Sequence, residues 1–427
     1  MNATESNRVT EFRQFKKRIR GSTVDLVVGL DIGKRKHHAF FGDANGKTIL
    51  KGLIVENSAA GFHHLMSQVD FYRQRDGFKA VVFGLEPTSV YHKPLAEHLI
   101  EQGHLVVYAT NEAIKKNRSL IDGRWDKHDT KDSANVADLV AQGKCHYYDW
   151  PDQRLRDLRS LLLLRKRLKK QFHGCRVRIR NNLLAQYFSE LDLFWNHADA
   201  ENLAIVREYL DPARIRQLSC EQFIARVITH NGGLRQRRRL GQIWEAAGSS
   251  IGCRPGAAMQ LEAELLVDTL QSIKQQLAHV EQAIQELAAG FPEYGYLKSI
   301  PGFGPYVSAM TLAAIGNPHR FENRAQLIRL AGFDLCASRS GEKSSTAVPV
   351  ISKKGKADLR YALYQAALVA SSLTRHFRSH YNRLLEGRQR EKGIRTKMLV
   401  KIAAKMLVIA WTLMKRNECF NPACIQA

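Results

Sequence analysis

The chain has 427 residues, of which 65 are Lys or Arg and 41 are Asp or Glu, so its formal charge is +24. This excess of positive charge predicts a polyanionic partner, with nucleic acid the leading candidate, while an apolar fraction of 44% argues against a disordered chain and suggests two or three domains. The seven cysteines form neither a Cys-x-x-Cys pair nor a cluster with zinc spacing, which argues against structural zinc and a disulfide framework.

No membrane partner is expected from the sequence. The first 20 residues lack the apolar core of a signal peptide, and the longest apolar stretch, residues 402–414, contains Lys405. That stretch also falls short of the roughly 20 residues that span a bilayer. We therefore expect a protein of the reducing cytoplasm.

After a basic leader at residues 1–23, residues 24–150 alternate between strand and helix patterns. Strands are predicted at residues 24–30, 37–41, 49–50, 53–55, 80–86 and 105–108, and helices at 59–73, 95–101 and 129–141. This alternation is typical of an α/β domain, and its outline is that of a ribonuclease-H-type fold.

Four carboxylates stand at informative places in this domain. Asp31 and Glu86 each close a short apolar strand, while Asp129 and Asp132 lie one turn apart on a predicted helix. Clustered carboxylates repel one another unless cations are bound, and two Mg²⁺ ions held by such a cluster support phosphoryl transfer. We therefore predict that these four residues form a magnesium site, although each alone has an ordinary reading as a turn or helix cap.

Residues 151–290 are predicted to be helical and strongly basic. Two groups of cations are candidate phosphate contacts: Arg165, Lys166, Arg167, Lys169, Lys170 and Arg176 in a long helix, and Arg235, Arg237, Arg238 and Arg239 after a glycine break. Apolar residues then recur in steps of four and three from Met259 to Leu287, which predicts a coiled-coil arm. We expect this arm to make the protein a dimer, or a tetramer when assembled on DNA.

Residues 291–427 are predicted to be mostly helical and to contain a turn that resembles that of a helix-hairpin-helix element. Gly302 and Gly304 permit this turn, whose backbone N–H groups would face a phosphate, and Lys353 and Lys354 are further candidate phosphate contacts. A basic loop holds Ser340, a candidate nucleophile, although Ser-Gly is more often an ordinary turn. Ser352 is the competing candidate.

Taken in order, these segments resemble the DEDD transposase family of bacterial insertion sequences, which is related to the Piv and MooV invertases and includes bridge-RNA-guided recombinases. The matching segments are Gly-Leu-Asp-Ile-Gly-Lys at 29–34, Leu-Glu-Pro-Thr at 85–88, Tyr-His-Lys-Pro-Leu at 91–95, Asp-Thr-Lys-Asp-Ser-Ala at 129–134, Ile-Pro-Gly-Phe-Gly-Pro at 300–305, Ala-Gly-Phe at 331–333, Ser-Gly at 340–341 and Ser-Lys-Lys-Gly at 352–355. Their order is far more specific than any one of them.

The resemblance implies a RuvC-like domain in which the DEDD carboxylates are Asp31, Glu86, Asp129 and Asp132, then a coiled-coil region and a C-terminal transposase domain. It implies that Ser340 attacks DNA and forms a phosphoserine link. It also implies that an RNA from the element guides recombination, and that the protein acts at the bacterial nucleoid. The partners implied are donor and target DNA and the guide RNA.

Three other readings of the residues stay open. A RuvC-like junction-resolving nuclease would need the carboxylates and no serine. A sugar kinase or an actin-like ATPase would begin its phosphate loop at residues 31–33, but such loops favour Thr or Ser where Lys34 stands. A nucleic-acid-binding scaffold would need neither metal nor strand cleavage.

Overall fold

The computed structural model describes residues 3–87, 89–122, 129–195, 200–228, 232–336 and 349–425; for residues 3, 4, 119–122, 129, 424 and 425 it describes the backbone alone. The chain divides into two compact units. The first comprises Met1–Gln153 with Asn317–Glu322, and the second comprises Arg154–Gly316 with Asn323–Ala427.

The first unit is built on a mixed six-stranded sheet. Its elements are α1 (Ala3–Arg18), β1 (Asp25–Asp31), β2 (Lys36–Asp43), β3 (Thr48–Glu56), α2 (Ala59–Arg75), β4 (Ala80–Leu85), α3 (Lys93–Glu101), β5 (Leu105–Tyr108), α4 (Asn111–Asp122), α5 (Asp129–Ala141) and β6 (His146–Tyr147). The strand order is β3-β2-β1-β4-β5-β6, in which β1, β4 and β5 are parallel and the other neighbours are antiparallel. The predicted α/β domain is thereby confirmed.

Helices cover both faces of this sheet. Leu26, Val28 and Leu30 of β1 point to the face covered by α2 and α3. Val27 of β1 and Val82 of β4 point to the opposite face, where α5 packs. Because both faces of the central strands are covered, β1 and β4 are apolar runs without the alternation of a one-sided sheet.

A row of glycines lets α5 approach the sheet closely. Gly29 of β1 and Gly84 of β4 are partners in the parallel ladder, and both lie beneath α5. A Cβ atom at Gly29 would lie 2.6 Å from the backbone nitrogen of Ala137 and closer still to the carbonyl oxygen of Ser133. The backbone of α5 therefore occupies space that any side chain at position 29 would need.

We expect Gly29→Ala to lower the free energy of unfolding of the first unit by about 3 kcal/mol, the upper end of the cost of overpacking, because the clash is with backbone atoms that cannot rotate away. Urea unfolding followed by circular dichroism measures this change. Gly174→Ala is the matched control, since no atom lies within 4 Å of its Cβ position and α6 is helical there. Equal stability of Gly29→Ala and wild type would contradict this packing of α5.

The second unit is mostly helical. Its elements are α6 (Gln153–Arg178), α7 (Ala185–Tyr187), α8 (Ala200–Glu208), α9 (Pro212–Arg216), α10 (Cys220–Val227), α11 (Leu234–Ser249), α12 (Ala257–Ala289), α13 (Pro292–Lys298), α14 (Pro305–Ile315), α15 (Arg324–Ala331), β7 (Leu335–Cys336), β8 (Val350–Ile351), α16 (Ala357–Leu373), α17 (Arg375–Leu385) and α18 (Ile394–Arg416). A π-helical turn, Ile179–Leu184, follows α6.

The heptad of α12 is buried within the chain itself. Its stripe from Ala263 to Ile284 is at most 8% exposed, and its first half joins a core built from the π-helical turn, α8, α10 and α11. The long helix is as predicted, but its apolar seam has partners in the same chain. The feature that suggested a dimer is thus explained without a second copy, and the dimer stays a prediction.

The basic leader forms a helix that the sequence analysis did not predict. In α1, Phe15 is fully buried, and the Arg18 guanidinium donates to the Asp25 carboxylate across 3.0 Å. The leader is therefore part of the first unit's core. Among the helices in the described part of the chain, none is long and apolar enough to cross a membrane.

Candidate active site

The sheet brings Asp31 and Glu86 together at one edge. Both follow the ladder pair Leu30↔Leu85, and the backbone N–H of Glu86 donates to the carbonyl oxygen of Leu30 across 3.3 Å. Side chains alternate between the faces of a strand, so Asp31 shares a face with Gly29, and Glu86 shares a face with Gly84. If this alternation continues one residue past β4, the two carboxylates lie side by side on the face that α5 covers.

His38 extends this row of polar residues. It is the antiparallel partner of Asp31 on β2, so its side chain lies on the same face of the sheet. His37 points to the other face and stacks on Phe62 of α2, with ring centroids 6.3 Å apart. The alternation of side chains along β2 puts the two histidines on opposite faces of the sheet. The register of β1 with β2 then places His38 beside Asp31.

Asp129 and Asp132 come from the first turn of α5, which lies over Gly52 of β3 at Thr130 and over Gly29 of β1 at Ser133 and Ala137. Gly29 and Gly84 stand two residues before Asp31 and Glu86, which is about 6.6 Å along each strand. The side chain of Asp132 is 1% exposed, and its Oδ1 accepts a hydrogen bond from Nε of Arg118 on α4 across 2.8 Å. The side chain of Asp129 lies outside the described residues.

The donor chemistry of this edge suits a hard divalent cation. Carboxylate oxygens are the ligands that Mg²⁺ prefers, and Asp31 and Glu86 supply them from adjacent strands. Among the described side chains, however, no three His, Cys, Asp or Glu residues are close enough together to hold a metal ion. Asp132 bonds to Arg118 in this arrangement, so a full site would need Asp129 or a different position of Asp132.

Arg118 is a second residue that the sequence analysis missed. We expect Arg118→Ala to lower the free energy of unfolding by about 1–3 kcal/mol, because it leaves a buried carboxylate without its charged donor. A double-mutant cycle with Asp132→Asn, followed by urea unfolding, measures the coupling. Additive losses in the two single variants would show that the pair contributes nothing to stability.

Of the two candidate serines, the structure describes Ser352 alone. Ser340 lies outside the described residues, between β7 and β8. Ser352 directly follows β8, and its hydroxyl donates to the Asp334 carboxylate across 2.6 Å. Its Oγ also accepts from the N–H of Lys354, and its own N–H donates to the Asp334 carbonyl oxygen. Ser352 therefore ties together the two chain segments that flank the loop of Ser340.

Several predicted phosphate contacts on α6 are paired within the chain. Arg165 bonds to Glu281 across 2.7 Å and covers the Tyr306 ring at 3.9 Å. Lys166 bonds to Asp358 across 2.8 Å, and Lys169 lies 3.9 Å from Glu281. Arg167 and Lys170 are exposed, whereas Arg176 is half-buried over the Phe172 ring. The paired cations have much of their charge offset before any nucleic acid arrives.

The remaining candidates lie on α11 and around two turns. On α11, Arg235, Arg237 and Arg238 are exposed, whereas Arg239 lies 3.6 Å from the Glu201 carboxylate. Gly302 has a φ of +86° and packs against α16, while Gly304 caps α14 with open space around its Cβ position. Lys353 and Lys354 are exposed just after β8. Nucleic-acid binding by these residues stays a prediction.

Comparisons with known proteins relate two parts of this chain to transposase families. Residues 28–189 match a transposase family model of the DEDD type, and residues 294–382 match a model described as the transposase IS116/IS110/IS902 family. The chain is 22% identical to an insertion element IS116 uncharacterized 44.8 kDa protein from Streptomyces clavuligerus, and 23% identical to an insertion element IS110 uncharacterized 43.6 kDa protein from Streptomyces coelicolor. Each alignment covers 93% of this chain and 96% of the relative.

Proposed function

Because the chain belongs to the DEDD transposase family of insertion elements, we propose that it cuts and rejoins DNA with a carboxylate site and a serine nucleophile. The observation that supports the proposal is that Asp31 and Glu86 follow directly after paired residues of the adjacent strands β1 and β4, while Asp129 and Asp132 belong to the first turn of α5. DNA is the substrate that this family implies.

In this proposal the four carboxylates would hold Mg²⁺, which when bound offsets the negative charge that gathers on the phosphate. The chain's own residues would carry out the covalent steps. Ser340 Oγ attacks the phosphorus and forms a serine–phosphate ester, while the bond to one DNA oxygen breaks and that oxygen leaves as a hydroxyl. A hydroxyl of the new strand reverses the step, so no high-energy cofactor is consumed. Asp132 would join this site only by giving up its hydrogen bond with Arg118.

We further propose that an element-encoded RNA directs the reaction. The formal charge of +24 supports a second polyanion in addition to DNA, and exposed cations on α6 and α11 offer it phosphate contacts. The experiment is to purify the protein from cells carrying its native locus, sequence the RNA that accompanies it, and assay excision and insertion with and without that RNA. A specific RNA on which activity depends would support guidance. Recombination that needs no RNA would end the guided proposal and leave the DNA chemistry standing.

A further inference from the structure

A large positive charge lies on α17, α18 and the turn between them. Residues 374–405 contain ten Lys or Arg against two Glu, a third of the net charge of the whole protein in 32 residues. None of these ten cations was among the predicted phosphate contacts. We call the surface formed by Arg383, Lys397, Lys401 and Lys405 the α17–α18 surface.

These cations differ from those of α6 in their partners. On α6, Arg165, Lys166 and Lys169 each have a carboxylate within 4 Å. Among the described residues, Arg388 is the one cation of residues 374–405 that forms an ion pair, with Glu391 across 2.8 Å. The positive charge of the α17–α18 surface is therefore available to an external anion.

The cations of the two helices face the same region. Lys397, Lys401 and Lys405 recur every four residues, which places them in one stripe on α18 at steps of about 6 Å. His380 of α17 lies close to this stripe and to Arg383. Burial lowers the pKa of His380, and the charges of Lys405, Arg383 and Lys401 lower it further. Like charges have thus been gathered at this place. The nearby carboxylate of Glu391 has its pKa lowered mainly by its hydrogen bond with Arg388 and also by the charge of Lys397.

The α17–α18 surface consists of cationic side chains, which contact phosphates, and contains none of the aromatic rings that recognise unpaired bases. Recognition of unpaired bases uses exposed aromatic rings on which bases stack. On α17, Phe377 is fully buried against Phe420, and Tyr381 is half-buried. What remains exposed is long, flexible and cationic, which suits the regular phosphates of a duplex.

We propose that the α17–α18 surface binds the phosphate backbone of duplex DNA independently of its sequence. The inference rests on the proposed function for its choice of DNA as the polyanion. Its role is to hold the DNA rather than to cleave it, so it does not depend on metal or on the serine.

The test compares two full-length triple variants that lose the same charge. The first is Lys397→Gln with Lys401→Gln and Lys405→Gln. The control is Arg178→Gln with Arg180→Gln and Arg207→Gln, whose exposed side chains pair with Glu262, Asp192 and Asp268. Fluorescence anisotropy in EDTA measures the affinity for a 30-base-pair duplex of arbitrary sequence and for an RNA hairpin with the same number of phosphates, at several NaCl concentrations. Because EDTA removes metal, failure of the cleavage chemistry cannot affect the result.

We expect the first variant to lose about 10–100-fold in duplex affinity at 0.1 M NaCl and to reduce the salt slope by up to about three, one for each lost phosphate contact. The control should lose less than about twofold, since its cations are already neutralised. Replacing the three lysines by arginine should restore binding, and thermal melting checks that all variants are folded. Equal losses in both glutamine variants, no loss in the first, or a loss confined to RNA would each overturn the proposal.

Discussion

Asp31→Asn is expected to reduce DNA cleavage and recombination by about 10²–10³-fold or more, the cost of removing one group that stabilises transition-state charge. Asp31 lies between His38 and Glu86 in the row of polar residues, so it would be the central carboxylate of the proposed site. Asparagine keeps the shape of the side chain and removes its charge. A strand-cleavage assay on labelled DNA with saturating Mg²⁺ measures the loss, and DNA affinity in EDTA should stay within about threefold of wild type, since a metal ligand is not a phosphate contact.

Asp43→Asn is the matched control for this prediction. Asp43 ends β2 at the opposite edge of the same sheet, where its Oδ1 accepts hydrogen bonds from the N–H groups of Asn45 and Lys47. An asparagine oxygen can accept the same two bonds, so both activity and stability should be nearly unchanged. Full activity of Asp31→Asn, or an equal loss in Asp43→Asn, would remove the carboxylate edge from the mechanism.

The strands that carry Asp31 and Glu86 could be predicted because each is a short apolar run closed by a polar residue. Parallel neighbours then place such ends at one edge, which the ladder of β1 and β4 confirms. The positions of His38 and Arg118 could not be predicted in the same way. They depend on the register of a hairpin and on α4, a helix with four apolar residues in twelve that the sequence analysis did not predict.

Charge was harder to interpret than the fold, because pairing depends on residues far away in the chain. The partner of Arg165 is 116 residues away, and that of Lys166 is 192 residues away. A run of cations looks the same in sequence whether it is neutralised by tertiary contacts or not. The heptad of α12 has the same ambiguity, since apolar periodicity marks a face to be buried without saying whether the partner is a second chain.

Ser340→Ala is expected to abolish the covalent protein–DNA adduct and, with it, recombination. Removal of a serine nucleophile costs on the order of 10⁶-fold in turnover where it has been measured in a serine hydrolase, because no neighbouring group replaces it. The adduct is measured by incubating the protein with labelled DNA and Mg²⁺, denaturing in detergent, and following the label that migrates with the protein. DNA binding in EDTA should be unaffected.

Ser352→Ala distinguishes the two serines. It removes the hydroxyl that bonds to Asp334, so it should cost about 1 kcal/mol of stability and leave the adduct in place. Loss of the adduct in Ser352→Ala, with retention in Ser340→Ala, would exchange the roles of the two residues. If cleavage persists in both variants and no adduct forms even in wild type, a carboxylate-only nuclease becomes the better description.

A serine ester is the one intermediate that separates a recombinase of this kind from a nuclease, because only the ester preserves the bond energy needed to rejoin a strand.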